Sequence, residues 1–381
     1  MTAAPAATLA RYRDEFPIFR HCRYLNSCSL GALSVRTRTA LSSYLDEWGE
    51  RGAAAWYDAW LPALERLRTG YGRVVGSAPA AISIHPCIST ALSVVAESLD
   101  YSKRPRVVTT SLDFPTVAYQ WLAKRDRGIE VVIVESPDGI TVPLDRLAAA
   151  IDERTALVAT SHVFFTSGAI QDIRSLASLA HANGALLLVD GYQAAGQLPV
   201  EVESLEVDFY CSGGLKWLIG GSGIAFLYVR PALHDVLESA IAGWFGHAEP
   251  FRFDTRRLER APDARRFELG TPSVASVYAQ LAGLSMIEEI GIPAIREVTA
   301  GLTEDLIAAL LGRGFRPKVA ANPGERSGIV MIPRADPHAD VRALMDRGFV
   351  VDARPGHIRV SPYFYNVADD HRAFVEQLSR G

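Results

Sequence analysis

Short apolar runs alternate with polar turns and helical patterns through the middle of the chain. Most of these runs are apolar throughout, which is typical of strands that are buried on both faces of a sheet. Apolar residues recur at helical spacing between the runs, and one such helix is predicted to end at Asn183-Gly184. The alternation predicts an α/β fold with a large, doubly wound, mostly parallel sheet. The predicted strands are 106–110, 129–134, 156–160, 185–189, 207–211 and 224–229.

The pattern changes on both sides of this region. Before it, Ser34 is predicted to cap a helix that carries Leu41, Tyr44, Leu45 and Trp48 on one face. Beyond about residue 250, a basic connector leads into a helical pattern that ends at Gly291. That helix is predicted over 274–290, and strand-like runs follow over 328–332, 349–352 and 358–360.

These changes, together with the family resemblance given below, predict two domains. We expect a large domain over 25–254 and a small α+β C-terminal domain over 255–381, with residues 1–24 as an N-terminal segment that packs on the small domain.

The composition is that of an ordinary globular protein. Hydrophobic residues make up 49% of the 381 residues and charged residues 22%, and the net charge of −4 gives no sign of a nucleic-acid or membrane partner. The four cysteines form no CxxC pair, so neither a metal site nor a disulfide scaffold is expected. The first residues lack a secretory signal pattern, and no apolar run is long enough to span a membrane. We therefore expect a cytoplasmic protein.

Polar and reactive residues follow the predicted strands at their carboxyl ends, where ligands bind in open parallel sheets. They are Asp113–Thr116, Ser161-His162, Asp190 with Gln193, and the stretch from Ser212 to Gly223 that contains Lys216. This combination suits pyridoxal phosphate, which needs an amine for its Schiff base, a carboxylate beside its pyridine nitrogen, an aromatic partner for its ring and N–H donors for its phosphate. Each residue alone also has a structural explanation, such as a helix cap for Asp190 or a tight turn for Gly220–Gly223. It is the combination that favours the cofactor.

Three stretches carry a resemblance to a known family. They are Val189-Asp190-Gly191-Tyr192-Gln193-Ala194, Val207-Asp208-Phe209-Tyr210 and Ser212-Gly213-Gly214-Leu215-Lys216-Trp217. They resemble the cofactor signature of the class V aminotransferase superfamily of fold-type I enzymes, in which an aspartate, a glutamine and a lysine follow one another in this order. The resemblance implies a pyridoxal-phosphate enzyme and a homodimer with its active site at the subunit interface.

The resemblance also implies roles for individual residues. Lys216 would form the Schiff base and act in catalysis, Asp190 would pair with the pyridine nitrogen, and Gln193 would contact the phenolic oxygen. The other cofactor-binding residues would be Ile88 and Ser89 at the phosphate, Phe114 on the ring, Ser212, and Thr271, which a neighbouring subunit lends to the phosphate. Arg359 would bind the substrate α-carboxylate, and Asn26, His162 and Trp244 would be substrate-binding residues.

The reaction type is open at this point. Several stretches look closer to kynureninases, but Val117, Leu215 and Gln193 stand where kynureninases have Asp, Tyr and His. The stretch Leu215-Lys216-Trp217-Leu218 is similar to isopenicillin N epimerase-like members. We expect a small α-amino acid to be transformed by transamination or a related lyase step, through a Lys216 aldimine and a quinonoid. Kynureninase-like Cβ–Cγ hydrolysis, C–S β-lysis and racemisation are the alternatives.

Three other functions are expected less. The last cysteine is Cys211, so no cysteine in the C-terminal domain could carry a persulfide, and a persulfide-forming cysteine desulfurase is not expected. A nucleotide-binding oxidoreductase is disfavoured because no GxGxxG motif follows the first strand. A non-catalytic binding protein is disfavoured because the residues that the resemblance assigns to the site are all present, namely Lys216, Asp190, Gln193 and Arg359.

Six further side chains would either line a pocket for a bulky substrate or pack in the core. They are Ser27, Cys28, Trp56, Tyr57, Trp244 and His247.

Overall fold

The computed structural model describes residues 9–380 of the chain. The first eight residues of the predicted N-terminal segment lie outside the described residues, and with them part of the stretch on which the expectation about a secretory signal rests.

The strands and α-helices of the described chain follow one another as expected for an α/β protein with a smaller C-terminal part. The strands are β1 (Arg23–Tyr24), β2 (Ile82–His85), β3 (Arg106–Thr110), β4 (Glu130–Val134), β5 (Thr155–Ser161), β6 (Leu186–Asp190), β7 (Phe209–Gly213), β8 (Ala225–Val229), β9 (Val330–Pro333), β10 (Phe349–Val350), β11 (Asp352–Arg354) and β12 (His357–Val360). The helices are α1 (Val35–Arg51), α2 (Leu61–Val75), α3 (Ile88–Ala96), α4 (Pro115–Leu122), α5 (Leu144–Ala150), α6 (Ile173–Ala182), α7 (Val274–Ile290), α8 (Ile292–Gly312), α9 (Pro337–Asp346) and α10 (Ala368–Leu378).

Seven strands form the large sheet, in the order β2-β8-β7-β6-β5-β3-β4. β8 runs antiparallel to both of its neighbours, and the other strands are parallel to one another. All six predicted strands are present with small shifts at their ends, which confirms the α/β fold class. β2, at one edge of the sheet, was not predicted.

Both faces of the sheet are buried, which explains why its strands read as continuous apolar runs. Leu187 and Val189 of β6 belong to one core cluster, together with residues of α2 and α6. Leu188, between them, belongs to a second cluster on the opposite face, with residues of α3 and α4. Successive side chains of a strand alternate between these two clusters.

The C-terminal part contains a second, smaller sheet, in the order β11-β12-β9, with antiparallel pairing. β10 pairs in parallel with β1 from the start of the chain. The guanidinium of Arg13 donates to both carboxylate oxygens of Asp370 on α10, at 2.7 and 2.9 Å. These contacts join the chain's beginning to its end, and the division at residues 24 and 254 stays a prediction.

The two long predicted helices are confirmed. The hydroxyl of Ser34 accepts a hydrogen bond of 3.0 Å from the backbone N–H of Thr37 and caps α1. α7 has the predicted bounds and ends at Gly291, whose φ is 84°. Leu45 and Trp48 of α1 are 58% and 57% exposed, so this helix presents an uncovered apolar face. Across residues 9–380, no helix combines the length and the apolar character that crossing a membrane would require.

Candidate active site

Lys216 lies in the connection between β7 and β8, at the carboxyl end of β7. Its amine is 4.2 Å from the centroid of the Tyr192 ring and 5.8 Å from the centroid of the Phe114 ring. Burial lowers the pKa of Lys216 to about 8, although the charge of Asp190 acts in the opposite direction. This lysine therefore has a larger share of neutral amine near neutral pH than a free lysine, as a nucleophile requires.

Asp190 is the last residue of β6 and is buried. Its Oδ1 accepts a hydrogen bond of 2.9 Å from the backbone N–H of Tyr192. Burial raises the pKa of Asp190 to about 6, and the Tyr192 N–H and the charge of Lys216 oppose this rise. A buried carboxylate of this kind is stabilised by a cationic partner.

The amide of Gln193 is held in one orientation. Its Oε1 accepts a hydrogen bond of 2.8 Å from the indole N–H of Trp217, and its Nε2 donates to the carbonyl oxygen of Cys28 at 3.0 Å. Because an indole N–H can only donate, the oxygen of the amide must face Trp217. The second N–H of Nε2 is therefore available as a donor to a ligand oxygen.

Helix α3 begins without a side-chain cap. The side chain of Cys87 at the N-cap position makes no capping hydrogen bond. Among the described residues, the backbone N–H groups of Ile88, Ser89 and Thr90 have no acceptor. The exposed hydroxyl of Ser89 is 2.8 Å from that of Thr116 on α4. Free N–H groups and hydroxyls at a helix N-terminus suit a phosphate.

Phe114 stands at the start of α4 with 45% of its surface exposed, and its ring packs against the edge of Phe165 at 5.1 Å. The neighbouring Asp113 fixes its position. The buried Asp113 carboxylate accepts hydrogen bonds from the end of β3 at Thr110 and from the end of β5 at Ser161. Phe114 is therefore held at the sheet rim by a carboxylate that joins two strands.

His162 follows β5 and is buried. Its backbone N–H donates to the carbonyl oxygen of Asp190 at 2.8 Å, and its Nδ1 is 3.1 Å from the hydroxyl of Tyr210. Burial lowers the pKa of His162 to about 4, so its ring is neutral at physiological pH. The structure thus places His162 beside Asp190, with its Nδ1 paired to a tyrosine.

Ser212 is not brought together with the other predicted cofactor residues. Its side chain is fully buried, and its hydroxyl donates to the hydroxyl of Tyr71 on α2 at 2.8 Å. The reason is the alternation along β7: Gly213 faces Tyr192 on the Lys216 side, and Ser212 points to the opposite face of the sheet. The side-chain hydroxyl of Ser212 therefore belongs to the core.

Arg359 on β12 is buried, and its guanidinium is held from several sides. Its Nη2 donates to Asp352 Oδ2 and to Ser29 Oγ, both at 2.7 Å, and its Nη1 donates to the carbonyl oxygen of Phe165 at 3.2 Å. Arg354 also pairs with Asp352 Oδ2, at 2.7 Å. Among the described residues, the buried Nε of Arg359 has no hydrogen-bond partner.

Residues 26–31, here called the crossing segment, connect the lysine to the arginine. The backbone N–H of Gly31 donates to the carbonyl oxygen of Leu215 at 2.8 Å, and Ser29 contacts Arg359 as described. Asn26 forms a parallel bridge with Ser361, and its side chain accepts a weak hydrogen bond from the thiol of Cys28 at 3.9 Å. Asn26 therefore lies at the end of the segment that pairs with the chain just after β12.

Thr271 and Trp244 lie apart from these residues. Thr271 is exposed and lines a cleft with His85 and Pro86, which precede α3. Trp244 is 39% exposed and lines an open groove with His247 and Phe253. The structure does not bring these two residues to Lys216 within the chain, so their assigned roles stay predictions.

Four residues of the site were not singled out in the sequence. Tyr192 packs against the Lys216 amine, Trp217 orients Gln193, and Asp352 and Ser29 hold Arg359. Tyr192 and Trp217 lie within the quoted signature, so these large aromatic side chains could have been predicted to contact the site. No local sequence pattern identifies Ser29 or Asp352 as site residues, because Ser29 is far in the chain from both Asp352 and Arg359, which it contacts.

The site's donor set fits pyridoxal phosphate. It contains an amine of lowered pKa, a buried carboxylate without a cationic hydrogen-bond partner, an amide with a free N–H and a helix N-terminus without acceptors. When bound, the cofactor supplies an electron-withdrawing ring that stabilises negative charge at a substrate carbon. Fold and site together define a pyridoxal-phosphate enzyme of the α/β class.

The chain belongs to the aminotransferase class-V family, whose model matches residues 63–373. It is 34% identical to the uncharacterized aminotransferase YcbU of Bacillus subtilis (strain 168), over 97% of both chains. It is 28% identical to a probable cysteine desulfurase of Methanothermobacter thermautotrophicus, over 96% of both chains. It is 29% identical to a kynureninase of Pseudomonas fluorescens, over 92% of this chain and 86% of the relative. The predicted resemblance, the fold type and the cofactor are confirmed.

Solved structures share this fold. The apo cysteine desulfurase of Thermococcus onnurineus NA1 matches with a TM-score of 0.88 and 22% identity, over 97% of each chain. The cystine C–S lyase C-DES in complex with its product cysteine persulfide matches with a TM-score of 0.88 and 21% identity, over 96% of this chain and 99% of that one.

The expectation that the chain is not a persulfide-forming cysteine desulfurase is wrong. A probable desulfurase is among its relatives, and solved desulfurases share its fold. The expectation relied on the lack of a cysteine after Cys211, but in the C–S lyase complex the persulfide is a product. The positions of the cysteines therefore do not exclude desulfuration.

Proposed function

We propose that the chain transforms a small α-amino acid, with Arg359 binding the α-carboxylate and Lys216 moving the α-proton, by transamination or a related lyase step. The observation that carries this proposal is the crossing segment, which joins the backbone next to Lys216 to the guanidinium of Arg359. A cation and an amine at this rim can hold an amino acid by its carboxylate while its α-carbon faces a base.

The residues around Lys216 would hold the cofactor in a fixed orientation. Asp190 keeps a proton on the pyridine nitrogen, and the free N–H of Gln193 donates to the phenolic oxygen. Ile88 and Ser89 donate their backbone N–H groups to the phosphate, and Phe114 covers the ring. The support for these roles is the burial of Asp190, the fixed amide of Gln193 and the uncapped start of α3.

Lys216 would act as the acid–base group after the substrate has taken its place. Its pKa of about 8 lies near neutral pH, so it can both accept and return a proton. The buried Nε–H of Arg359, which has no partner among the described residues, would be a donor to the carboxylate. Asp352 and Ser29 would keep the guanidinium in place.

A second candidate reaction is cleavage at the β-carbon, by C–S or Cβ–Cγ bond breaking. The observation that favours it is the presence of a kynureninase and a probable cysteine desulfurase among the relatives. Turnover that requires a 2-oxo acid would identify transamination. Without any oxo acid, release of sulfide with pyruvate and ammonium from cysteine would identify C–S cleavage, and release of alanine with a carboxylic acid, by addition of water to a γ-oxo amino acid, would identify Cβ–Cγ cleavage.

The proposal is tested with the purified protein and a panel of amino acids. We expect a visible absorption band of lysine-bound cofactor that Lys216→Ala abolishes. We expect Arg359→Ala to raise KM at least tenfold for the amino acid and much less for the matching decarboxylated amine, because only the former has the carboxylate. Equal effects on both compounds would reject the carboxylate role of Arg359.

A further inference from the structure

Two arginines of the smaller sheet share one carboxylate oxygen. The Nη2 atoms of Arg354 and Arg359 each lie 2.7 Å from Asp352 Oδ2. The hydroxyl of Ser29 donates to the same oxygen at 2.6 Å. Because both nitrogens contact one atom, they are at most twice 2.7 Å apart, and the two guanidiniums are close neighbours. Within residues 9–380, Asp352 is the carboxylate that pairs with both arginines, and neither of them has another.

The pairing of β11 with β12 explains why these three side chains meet. Asp352 lies directly opposite Arg359 in the antiparallel ladder, and the side chains of opposite residues project from the same face of a sheet. Arg354 is two residues beyond Asp352 on β11, so its side chain projects from that face as well. Arg354 therefore lies on the face from which Arg359 reaches Ser29 and Phe165.

This group carries more positive than negative charge. Burial acts against ionisation of Asp352, but the Ser29 hydrogen bond and the charges of both arginines lower its pKa on balance. Asp352 is therefore ionised near neutral pH, and an arginine keeps its charge throughout the physiological range. The group thus has two positive charges and one negative charge. The side chain of Arg359 is 2% exposed and that of Arg354 is 29% exposed, so Arg354 is the outer of the two.

The second guanidinium changes what the inner one can do. If Asp352 faced Arg359 alone, the two charges would cancel, and the carboxylate of Asp352 would repel an incoming carboxylate. With Arg354 present, one positive charge remains after that of Asp352 has been offset. The charge that remains equals in size the negative charge of one substrate carboxylate.

We infer that Arg354 is a positioning residue for the substrate carboxylate: it acts through Asp352, whose charge it offsets, and so leaves the inner Arg359 with a net attraction for an anion. This inference rests on the proposed role of Arg359. Asp352 holds the guanidinium of Arg359 by a hydrogen bond, and Arg354 prevents that contact from cancelling the attraction for the substrate.

The test measures the binding of propionate, which has a carboxylate and no amine, to the full-length holoenzyme by isothermal titration calorimetry. Arg354→Met removes the charge, and Arg354→Lys keeps it. In the double variant Arg354→Met/Asp352→Asn both charges are removed, while the asparagine oxygen can still accept from Arg359. Arg334→Met is the matched control, since Arg334 is 21% exposed and pairs at 2.6 Å with Asp340 and not with Asp352.

We expect Arg354→Met to weaken propionate binding about tenfold, because Asp352 then cancels the charge of Arg359. Arg354→Lys should weaken it less, since the charge is kept and the fork of donors is lost. The double variant should bind within about twofold of the wild-type protein, because the net charge of the group is restored. Arg334→Met should have no effect. With an amino-acid substrate, Arg354→Met should raise KM and leave kcat nearly unchanged.

Wild-type affinity of Arg354→Met for propionate would overturn the inference. A double variant that binds as weakly as Arg354→Met would also overturn it, because the role of Arg354 would then be structural and not electrostatic. Arg359→Ala in the same titration separates this inference from the proposed function. Unchanged binding in Arg359→Ala would reject the role of Arg359 and this inference with it, whereas a loss in Arg359→Ala without a loss in Arg354→Met rejects this inference alone.

Discussion

The side chain of Trp217 shows how one hydrogen bond can decide the chemistry of a neighbour. A side-chain amide can turn either its oxygen or its nitrogen toward a neighbour. Because the indole N–H of Trp217 is a donor, only the amide oxygen of Gln193 can face it. The amide nitrogen of Gln193 therefore faces away from Trp217, where it can only donate hydrogen bonds. Trp217 is a positioning residue that acts through Gln193.

We predict that Trp217→Phe changes the absorption maximum of the bound cofactor, because Gln193 loses its fixed orientation. The variant should also be destabilised by about 1–3 kcal/mol, since a buried acceptor is left unpaired. Spectroscopy and urea denaturation measure the two effects. Trp121→Phe is a matched control, because Trp121 is equally buried and its indole N–H donates to Tyr101 at 2.8 Å and not to Gln193. A comparable spectral change in both variants would contradict the role of Trp217.

The lowered pKa of Lys216 has a consequence for cofactor capture. Capture needs the neutral amine, and a group whose pKa is lowered to about 8 becomes neutral at a lower pH than ordinary lysine. We predict that the rate of reconstitution with pyridoxal phosphate rises with pH and levels off above a midpoint near 8. Asp190→Asn removes the opposing charge and should move the midpoint downward. A midpoint at the ordinary value of 10.5 would show that burial does not act as described.

At the scale of elements, the crossing segment depends on a very close approach of two backbones. A Cβ atom on Gly31 would lie 2.3 Å from the carbonyl oxygen of Lys216. We predict that Gly31→Ala displaces the segment from the lysine loop, weakens cofactor retention and lowers the melting temperature by several degrees. Gly49→Ala is the control, since its Cβ would meet nothing within 4 Å and alanine favours the helix. Equal stability of the two variants would contradict the close approach.

Much of the fold follows from local patterns in the sequence. Six of the seven strands of the large sheet, and α7, could be predicted because continuous apolar runs and helical spacing are local properties. The placement of Lys216 and Asp190 at one rim could be predicted because parallel strands end on the same side. β2 was missed because a four-residue strand next to a turn has little pattern of its own.

Other parts of the site depend on partners that the local sequence does not contain. The direction of Ser212 could not be predicted, since a strand buried on both faces gives no sign of which residues face which side. The group formed by Ser29, Asp352 and Arg359 joins residues from the two ends of the chain. Such contacts follow from the tertiary fold and not from spacing.

At the scale of the whole molecule, the role predicted for Thr271 requires a second subunit, and Trp244, predicted to bind substrate, also lies apart from Lys216 within the chain. Both residues are exposed in the chain and lie away from Lys216, and α1 presents the exposed Leu45 and Trp48. This arrangement agrees with a homodimer in which each chain completes the other's site. The dimer is a prediction of the family resemblance.

We predict that Thr271→Ala loses cofactor faster than the wild-type protein, and that both lose it faster on dilution as subunits separate. The loss is measured by the decay of the cofactor absorption across a range of protein concentrations. Sedimentation at the same concentrations reports the dimer. Cofactor retention that is independent of both the substitution and the dilution would count against the shared site.

The crossing segment also bears on how the molecule is made. It leaves the ribosome long before the parts that hold it, because Gln193, Leu215 and Arg359 are all synthesised later. The partners of Cys28 and Gly31 are made before Arg359, so the segment can contact the Lys216 loop before it meets β12. The contacts of the earliest stretch of the site are thus complete only after β12 has been made, and a substrate carboxylate can be bound only once Ser29 and Arg359 have met.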